Sequence, residues 1–268
     1  MNQLLEIEST LRLSAFVSIF AVMALWEIVS PRRSLSVSKG VRWLNNLGLV
    51  VVNTLVVRLL FPAAAVGTAV WAESHNIGLV HWLDIGSAWW VVLASVVLLD
   101  FFIWYQHLLF HKVPLLWRLH RVHHADLDFD LTTGLRFHPI EVLLSMCIKA
   151  GLILLFGFPA VAVLLFEVIL NGCAMITHSN IRLPKRLDTI IRTLFVTPDM
   201  HRVHHSWRIE EANSNYGFNL AIWDKLFGTY TEDSKDGQLG ITFGITRTPN
   251  KAAVPLPKLL TLPFRSGL

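Results

Sequence analysis

Long apolar runs alternate with short polar segments along most of this chain. The runs cover residues 13–30, 46–71, 87–110 and 140–178. A helix needs about 20 apolar residues to cross the hydrocarbon core of a bilayer. The last run is much longer than that, and Gly157 and Pro159 in "FGFPA" indicate a turn between two shorter spans. The pattern therefore predicts an all-α integral membrane protein with four to five membrane-spanning or re-entrant helices.

The composition agrees with a membrane protein. Hydrophobic residues make up 53% of the chain and charged residues 16%, whereas a soluble domain usually carries about 25% charge. Glu6 and Glu8 precede the first run and no basic residue comes before Arg12, so this run does not have the positive start of a secretory signal peptide. We expect an uncleaved first span. The net charge of +4 fits basic loops of a membrane protein, so no nucleic-acid partner is expected.

Basic residues predict the side of the membrane that each loop faces. Lysine and arginine are concentrated in 31–45 and 111–136 and are absent from 72–87. Because basic loops remain in the cytoplasm, the first two segments are predicted to be cytoplasmic and the third external. The expected location is a bacterial inner membrane.

No linker or low-complexity segment divides the chain, so residues 1–268 are interpreted as a single membrane domain. Residues 1–98 would hold the N-terminal spans and residues 99–230 a histidine-rich core. Residues 231–268 are more polar and are expected to form a surface tail.

The histidines are the most informative feature of the sequence. The pentapeptide "HRVHH" occurs at 120–124 and again at 201–205, and "HLLFH" occupies 107–111. Residues three or four apart lie next to each other on a helix, so each motif presents a row of imidazoles. Ten of the twelve histidines lie in 107–205, and all ten fall at the predicted cytoplasmic ends of the spans or between them. The pattern predicts a histidine-rich helical cap on the cytoplasmic side, with His75 and His81 as ordinary residues of the opposite side.

So many imidazoles exceed the needs of one metal ion, because tetrahedral zinc takes four ligands and an octahedral ion takes six. Two ions side by side would use them, with the two pentapeptides as two walls of one site and Arg121 and Arg202 pointing away. A single histidine near an apolar helix is more often a hydrogen-bonded structural residue. His138 and His178 are single, but they lie at the two ends of the predicted hairpin and could therefore join the cluster.

The order "HLLFH", "HRVHH", "HP", "THS", "HRVHH" resembles the fatty acid hydroxylase/sterol desaturase superfamily of membrane di-iron enzymes. The resemblance runs from about Asp100 to Tyr230 and includes the closing segment "NYGFNLAIWDKLFGTY". The stretch "LPKRLDTIIRTLFVTPDMHRVHH" is similar to the alkylglycerol monooxygenase branch. The resemblance implies a di-iron site, O2 as co-substrate, and oxidation of an unactivated C–H bond in a fatty acyl, sterol-like or ether lipid.

The resemblance also implies roles for individual residues and partners. No catalytic side chain is expected beyond the metal ligands. The predicted ligands are His107, His111, His120, His123, His124, His201, His204 and His205, with the less strictly matched His138 and His178. Zinc could replace iron in a purified form, since imidazole suits both metals. No fused haem domain is seen, so electrons would come from a separate donor protein or a reduced pterin.

Four carboxylates are candidates to hold the ligands in place, because a metal-binding histidine usually donates its other ring N–H to an acceptor. They are Asp100, Glu141, Asp199 and Asp224.

Two alternatives to a hydroxylase remain open at this point. A lipid or sterol desaturase would use the same di-iron site. A non-enzymatic metal- or haem-binding membrane protein is the second. Transporters place their ligands near the middle of the bilayer, whereas these histidines gather at one face. A haem with two axial histidines would leave most of them unexplained. No nucleophile–base motif suggests hydrolysis.

Overall fold

The computed structural model describes residues 2–86, 88–246 and 254–265. The regular elements within these ranges are helical, and β-pairing is confined to three isolated bridges. The α-helices are α1 (Asn2–Val29), α2 (Lys39–Leu60), α3 (Ala64–Ser74), α4 (Leu79–Trp82), α5 (Trp89–Lys112), α6 (Pro114–His124), α7 (Pro139–Phe156), α8 (Ala160–Thr177), α9 (Lys185–Ile191), α10 (Pro198–His204), α11 (Ile209–Ala212), α12 (Ile222–Leu226), α13 (Gly237–Gly240) and α14 (Leu256–Thr261). Short 3-10 turns occupy Thr133–Leu135 and Leu262–Phe264. The all-α class is therefore confirmed.

Five helical segments among the described residues are long and apolar enough to cross a membrane. They are Leu5–Val29, Lys39–Trp82, Trp89–Lys112, Pro139–Phe156 and Ala160–Thr177. Each of the first three predicted runs overlaps one of them, and the long run is divided into α7 and α8 at Gly157, as predicted. The second span contains a break that the hydropathy pattern did not reveal. Pro62 follows α2 and lacks the backbone N–H that a continuing helix requires, so α3 starts afresh at Ala64.

The α7–α8 turn lies at the opposite end of the bundle from the ten histidines of 107–205. Each of these two helices has 18 residues, and at a rise of 1.5 Å per residue each is about 27 Å long. Gly78 packs against the backbone of Gly157 so closely that a Cβ on either would clash. Glu73 Oε1 also accepts a hydrogen bond from Ala160 N at 2.8 Å. Segment 72–87, which was predicted to be external, therefore lies at the end of the bundle remote from the ten clustered histidines.

Small residues of α3 pack into the centre of the bundle. Ala65, Val66 and Ala69 are fully buried against Leu99 of α5 and Ile153 of α7. Without long side chains between them, helix backbones approach closely, which is how helices associate in a lipid environment. This packing fixes α5 and α7, and with them the histidines at the other ends of those helices.

A buried ionic network anchors the loop that follows α6. Arg42 at the start of α2 donates from Nε to Asp126 at 2.7 Å and from Nη1 to Asp130 at 2.5 Å. Burial alone would raise the pKa of Asp126, but Arg42 and Arg136 hold it well below its usual value. Glu27 of α1 accepts from Leu131 N at 2.7 Å. The loop is thereby fixed to both N-terminal helices at the histidine end.

The C-terminal segment is more deeply packed than a surface tail. Leu259 and Leu262 are buried against Leu49 of α2 and Val122 of α6. Arg121 Nη2 also donates to Leu262 O at 2.6 Å. Leu259 and Leu262 are three residues apart and present one apolar face, so this part of 231–268 packs against α2 and α6, whereas the segment was expected to be a surface tail.

Candidate metal centre

The ends of α5, α6, α8 and α10 bring nine of the ten clustered histidines together. Within the described residues they form two groups, and in each group one ring nitrogen of every member lies within 4.8 Å of the others. Group A consists of His107, His111, His120, His124 and His204, and group B consists of His123, His178, His201 and His205. The groups adjoin, since the stacked rings of His124 and His205 have centroids 4.5 Å apart.

Each copy of the repeated pentapeptide contributes to both groups. The members of group A from the two copies are His120, His124 and His204, and those of group B are His123, His201 and His205. Residues three or four apart lie next to each other on a helix surface. The histidines of one helix turn can therefore reach both groups, and this holds for α6 and for α10. The repeated motif forms two walls of one histidine centre.

Local sequence fixes where these two helices begin. Pro114 is the first residue of α6 and Pro198 the first of α10, a position that needs no intrahelical N–H. Thr197 caps α10 by accepting a hydrogen bond from Met200 N at 3.3 Å. The arginine of the second pentapeptide points away from the site, as predicted, and Arg202 donates to Asp199 and to Ser179 O.

Backbone carbonyl groups orient three of the rings. The Nδ1 atoms of His107, His178 and His204 each lie 2.7 Å from a carbonyl oxygen, which belongs to Tyr216, Ala174 and Ser214 respectively. A carbonyl oxygen only accepts, so Nδ1 carries the proton in each ring and Nε2 keeps a lone pair. His120 Nδ1 makes the equivalent contact with Glu141 Oε1 at 2.7 Å. These rings therefore present the nitrogen that a metal ion binds.

The crowding of the Nε2 atoms fits bound cations. His178 Nε2 lies 3.1 Å from the Nε2 atoms of His123 and His205 and 3.0 Å from that of His201. One lone pair cannot accept three protons, so these contacts cannot all be hydrogen bonds. Among the members of the two groups, the buried Nε2 atoms of His111, His124 and His204 have no hydrogen-bond partner in the described residues. A metal ion at each group would bind these lone pairs, and buried imidazoles suit iron and zinc alike.

Burial keeps the site imidazoles neutral. It lowers the pKa of His120 to about 3 and that of His178 to about 3. For His123 and His205, burial again comes first, and neighbouring histidines lower the pKa further. Only a neutral imidazole has a lone pair to offer, so the site is in the ligand form at neutral pH.

A cavity of about 730 Å³ leads to the histidines from between α1, α2, α7 and α8. Its inner end is lined by His107, His120 and Glu141. Apolar side chains surround this end, including Phe110 and Phe137. The volume is within the usual range for small-molecule sites, about 300–1,000 Å³.

A sequence model of the family described as "Fatty acid hydroxylase" matches residues 92–229, about half of the chain. The chain belongs to the fatty acid hydroxylase family. The matched region contains every histidine of groups A and B. This confirms the resemblance inferred from the histidine motifs and assigns the protein to a family of oxidoreductases.

Curated relatives include several lipid-modifying enzymes. An ornithine lipid hydroxylase from Rhizobium tropici is 29% identical over 239 residues, which cover 86% of this chain and 70% of the relative. An alkylglycerol monooxygenase from Homo sapiens is 30% identical over 58% of this chain and 34% of its own length. This chain therefore spans about a third of that human enzyme. A cholesterol 25-hydroxylase-like protein from Danio rerio is 33% identical over 52% of this chain and 55% of the relative. No solved structure matches this member of the fatty acid hydroxylase family.

His138 lies outside both groups of this family member. It caps the start of α7, where its Nδ1 accepts from Ile140 N at 3.2 Å, and its Nε2 lies 3.2 Å from Leu260 O. Both ring nitrogens therefore contact backbone groups, and the structure does not bring His138 to the ligand set. His178, at the other end of the hairpin, does join the cluster. His75 and His81 lie on α3–α4 at the opposite end.

One of the four predicted carboxylates contacts a site histidine directly, and it is Glu141. Asp224 contacts the site through Tyr216. It accepts a hydrogen bond from Tyr216 N at 2.9 Å, and the Tyr216 carbonyl oxygen contacts His107. Asp100 instead accepts from Asn219 and Trp223. It shares a helix face with His107 but is seven residues away, about 10 Å along the axis. Asp199 pairs with Arg32 and Arg202.

Sequence reasoning missed the carbonyl acceptors and the aspartates of the loop after α6. A backbone carbonyl has no residue-specific signal, so its role as acceptor for a histidine was not predictable. The aspartates did leave a signal, since three of them alternate in "DLDFD" at 126–130 directly after the first pentapeptide. Aspartates so close to an apolar core require partners, and the structure supplies them from Arg42 and Ser36.

Proposed function

We propose that this chain is a membrane-bound, non-haem di-iron monooxygenase that hydroxylates a C–H bond of a membrane lipid. The observation that supports this most is the pair of adjoining histidine groups, of which His107 and His120 line a cavity between spans. Five imidazoles in one group and four in the other leave open positions on two octahedral ions. Names of relatives, which include an ornithine lipid hydroxylase and alkylglycerol monooxygenases, point to the same chemistry.

Two iron ions bound there would supply the activation of dioxygen. In the overall reaction one oxygen atom is inserted into the C–H bond, so that the hydrogen remains in the new hydroxyl group, and the other oxygen atom leaves as water with two added electrons and two protons. We propose a separate donor protein or a reduced pterin as the source of those electrons.

The contribution of the chain's own residues is orientation and exclusion of water. The carbonyl groups of Tyr216 and Ser214 hold the rings of His107 and His204 in one tautomer. Phe137 stacks on the ring of His123 with centroids 4.6 Å apart. Such packing excludes water around the histidines, so a lipid carbon would reach the site through the cavity.

Lipid analysis under labelled dioxygen tests the proposal. A host that expresses the gene is compared with one that expresses a histidine-deficient variant, both grown in ¹⁸O₂. We expect a lipid that depends on the intact gene and carries one labelled oxygen. A product that lacks two hydrogens and carries no label would establish a desaturase instead. Label that enters from water would indicate an activated-water reaction. Lipids that remain unchanged, with metal bound, would favour a metal-handling protein.

The side of the membrane is part of the same proposal. We propose that the histidine centre faces the cytoplasm of a bacterial cell, because the basic segments 31–45 and 111–136 flank it.

A further inference from the structure

Five charged side chains line the part of the cavity away from the histidine centre, and we call the four that contact one another the charged cluster. They are Glu8 and Arg12 of α1, Lys149 of α7 and Glu167 of α8. Arg12 Nη1 lies 2.8 Å from Glu8 Oε1 and 2.7 Å from Glu167 Oε2. Lys149 Nζ lies 2.6 Å from Glu167 Oε1. The metal centre does not use any of these groups.

Charges at this depth are costly, and such residues usually have a function. The side chain of Glu167 is 3% exposed and that of Lys149 is 11% exposed, so both are removed from water and lipid. The Arg12 side chain is 33% exposed and faces the cavity. Well-packed apolar residues could join these helices equally well, since exchange of a buried ionic network for apolar groups is often neutral or stabilising. Helix packing alone therefore does not explain the charged cluster.

The position of the charged cluster sets a distance to the metal centre. Lys149 is eight residues beyond Glu141 on α7, about 12 Å along the helix. Glu167 is eleven residues before His178, about 16 Å along α8. The same cavity reaches both places. A ligand that occupies it would therefore contact charged groups at one end and the histidines at the other.

The two ends of the cavity differ in the number of charged side chains. Around the charged cluster, Ser9 and Asn171 add polar groups among apolar neighbours. Near the histidines the lining includes the polar side chains of Gln106, Ser145 and Glu141 and three aromatic rings, those of Phe110, Phe137 and Phe218. The charged end suits a headgroup, and the aromatic rings suit a hydrocarbon chain.

The balance of charge narrows the class of headgroup. Two cations and two carboxylates form the charged cluster, so its formal charge is zero. The fifth charged side chain, Arg58 of α2, is exposed and does not belong to this buried balance. A purely anionic or purely cationic headgroup would add an uncompensated charge in a poorly solvated cavity. A zwitterionic headgroup keeps the sum at zero and can pair with both signs.

We propose that the charged cluster binds the headgroup of a zwitterionic lipid, so that a carbon of the hydrocarbon chain, about 12–16 Å from the headgroup, lies at the histidine centre. This inference rests on the proposed function and specifies its substrate class.

Binding to the purified, full-length, metal-free protein tests the inference without any turnover. The probes are an ornithine lipid as the zwitterion, a free fatty acid as the anion and a 1-O-alkylglycerol as the neutral lipid, with matched chain lengths. Retained lipid is measured by native mass spectrometry. We expect wild type to prefer the zwitterionic probe. The quadruple variant Glu8→Gln/Arg12→Gln/Lys149→Met/Glu167→Gln should lose about tenfold in affinity for that probe, the loss expected for one charge-assisted hydrogen bond. Its affinity for the neutral probe should change less than about twofold.

The variant removes all charge from the charged cluster, so no member is left unpaired. The matched control is Arg208→Gln/Asp236→Asn, which removes an exposed ion pair outside the cavity. If the quadruple variant yields no folded protein, Glu8→Gln/Arg12→Gln serves, because it leaves Lys149 paired with Glu167. Unchanged affinity for the zwitterion in a folded variant would overturn the inference, as would equal wild-type binding of all three probes.

Measurement of the oxidised products distinguishes failure of this inference from failure of the proposed function. With iron, O2 and a reductant, the hydroxyl should appear in the chain of the zwitterionic lipid, located by fragment masses. A hydroxyl in the headgroup would overturn the proposed orientation. Selective binding without any oxidised product would contradict the monooxygenase proposal and leave the charged cluster as a lipid site. Oxidation of all probes at equal rates would support the monooxygenase and reject the charged cluster as its headgroup site.

Discussion

Removal of the Glu141 carboxylate should weaken metal binding without removing a ligand. Glu141 Oε1 accepts the hydrogen bond from His120 Nδ1 at 2.7 Å, and both side chains are buried. In Glu141→Ala the ring N–H would have no acceptor, and the ring would be free to turn away from its group. Loss of such an acceptor typically costs about 10- to 100-fold in metal affinity. Glu141→Gln keeps a carbonyl oxygen as acceptor and should lose less.

Competition with a coloured chelator measures this affinity on detergent-purified protein loaded with Fe(II) under anaerobic conditions. The matched control is Asp100→Asn. Asp100 is also a buried carboxylate, in the middle of α5, but its partners are Asn219 and Trp223 rather than a histidine. We expect this variant to bind metal as wild type does, even if it unfolds at a lower temperature. Equal losses in the two variants would show that stability rather than histidine orientation sets the affinity, and would refute the reasoning.

Three further outcomes are expected from the same structure. His204→Ala should abolish activity and lower bound metal from two ions per chain, whereas His138→Ala should keep both ions, as measured by elemental analysis; metal loss in both would place His138 in the site after all. The metal-free protein should lose thermal stability as the pH falls from about 6.5. The reason is that two site imidazoles have pKa values of about 3 when folded, so only the unfolded chain takes up protons in this window. A melting temperature that does not change between pH 7 and pH 5 would contradict this. Cysteines placed at the exposed positions 74 and 190 should react with an impermeant reagent from opposite sides of the membrane, and labelling from one side would contradict the proposed topology.

The sequence predicted the spans because hydropathy depends only on local composition. The run at 140–178 was correctly divided at Gly157, where a positive φ ends α7. The division between α2 and α3 was missed, although Pro62 marks it, because apolar residues continue on both sides. A break in a helix does not interrupt a hydrophobic run.

Histidine spacing predicted the groups because three- and four-residue intervals fix a helix face. The two single histidines had no such constraint. His178 ends α8 and turns into the cluster, while His138 caps α7 and turns to the backbone. Their sequence contexts do not distinguish these two outcomes, which depend on how the loop after α6 and the segment around Leu260 pack against them.

The interleaving of the two pentapeptides has a consequence for how the protein acquires its ions. Because α6 and α10 each supply ligands to both groups, the first ion to bind would fix the helix turns that also carry ligands for the second. The entropy of ordering those turns is then lost only once, so the second ion should bind more tightly than the first. Loading is therefore expected to be cooperative. A preparation with an average of one ion per chain would consist mainly of doubly loaded and empty molecules, and singly loaded molecules would be scarce.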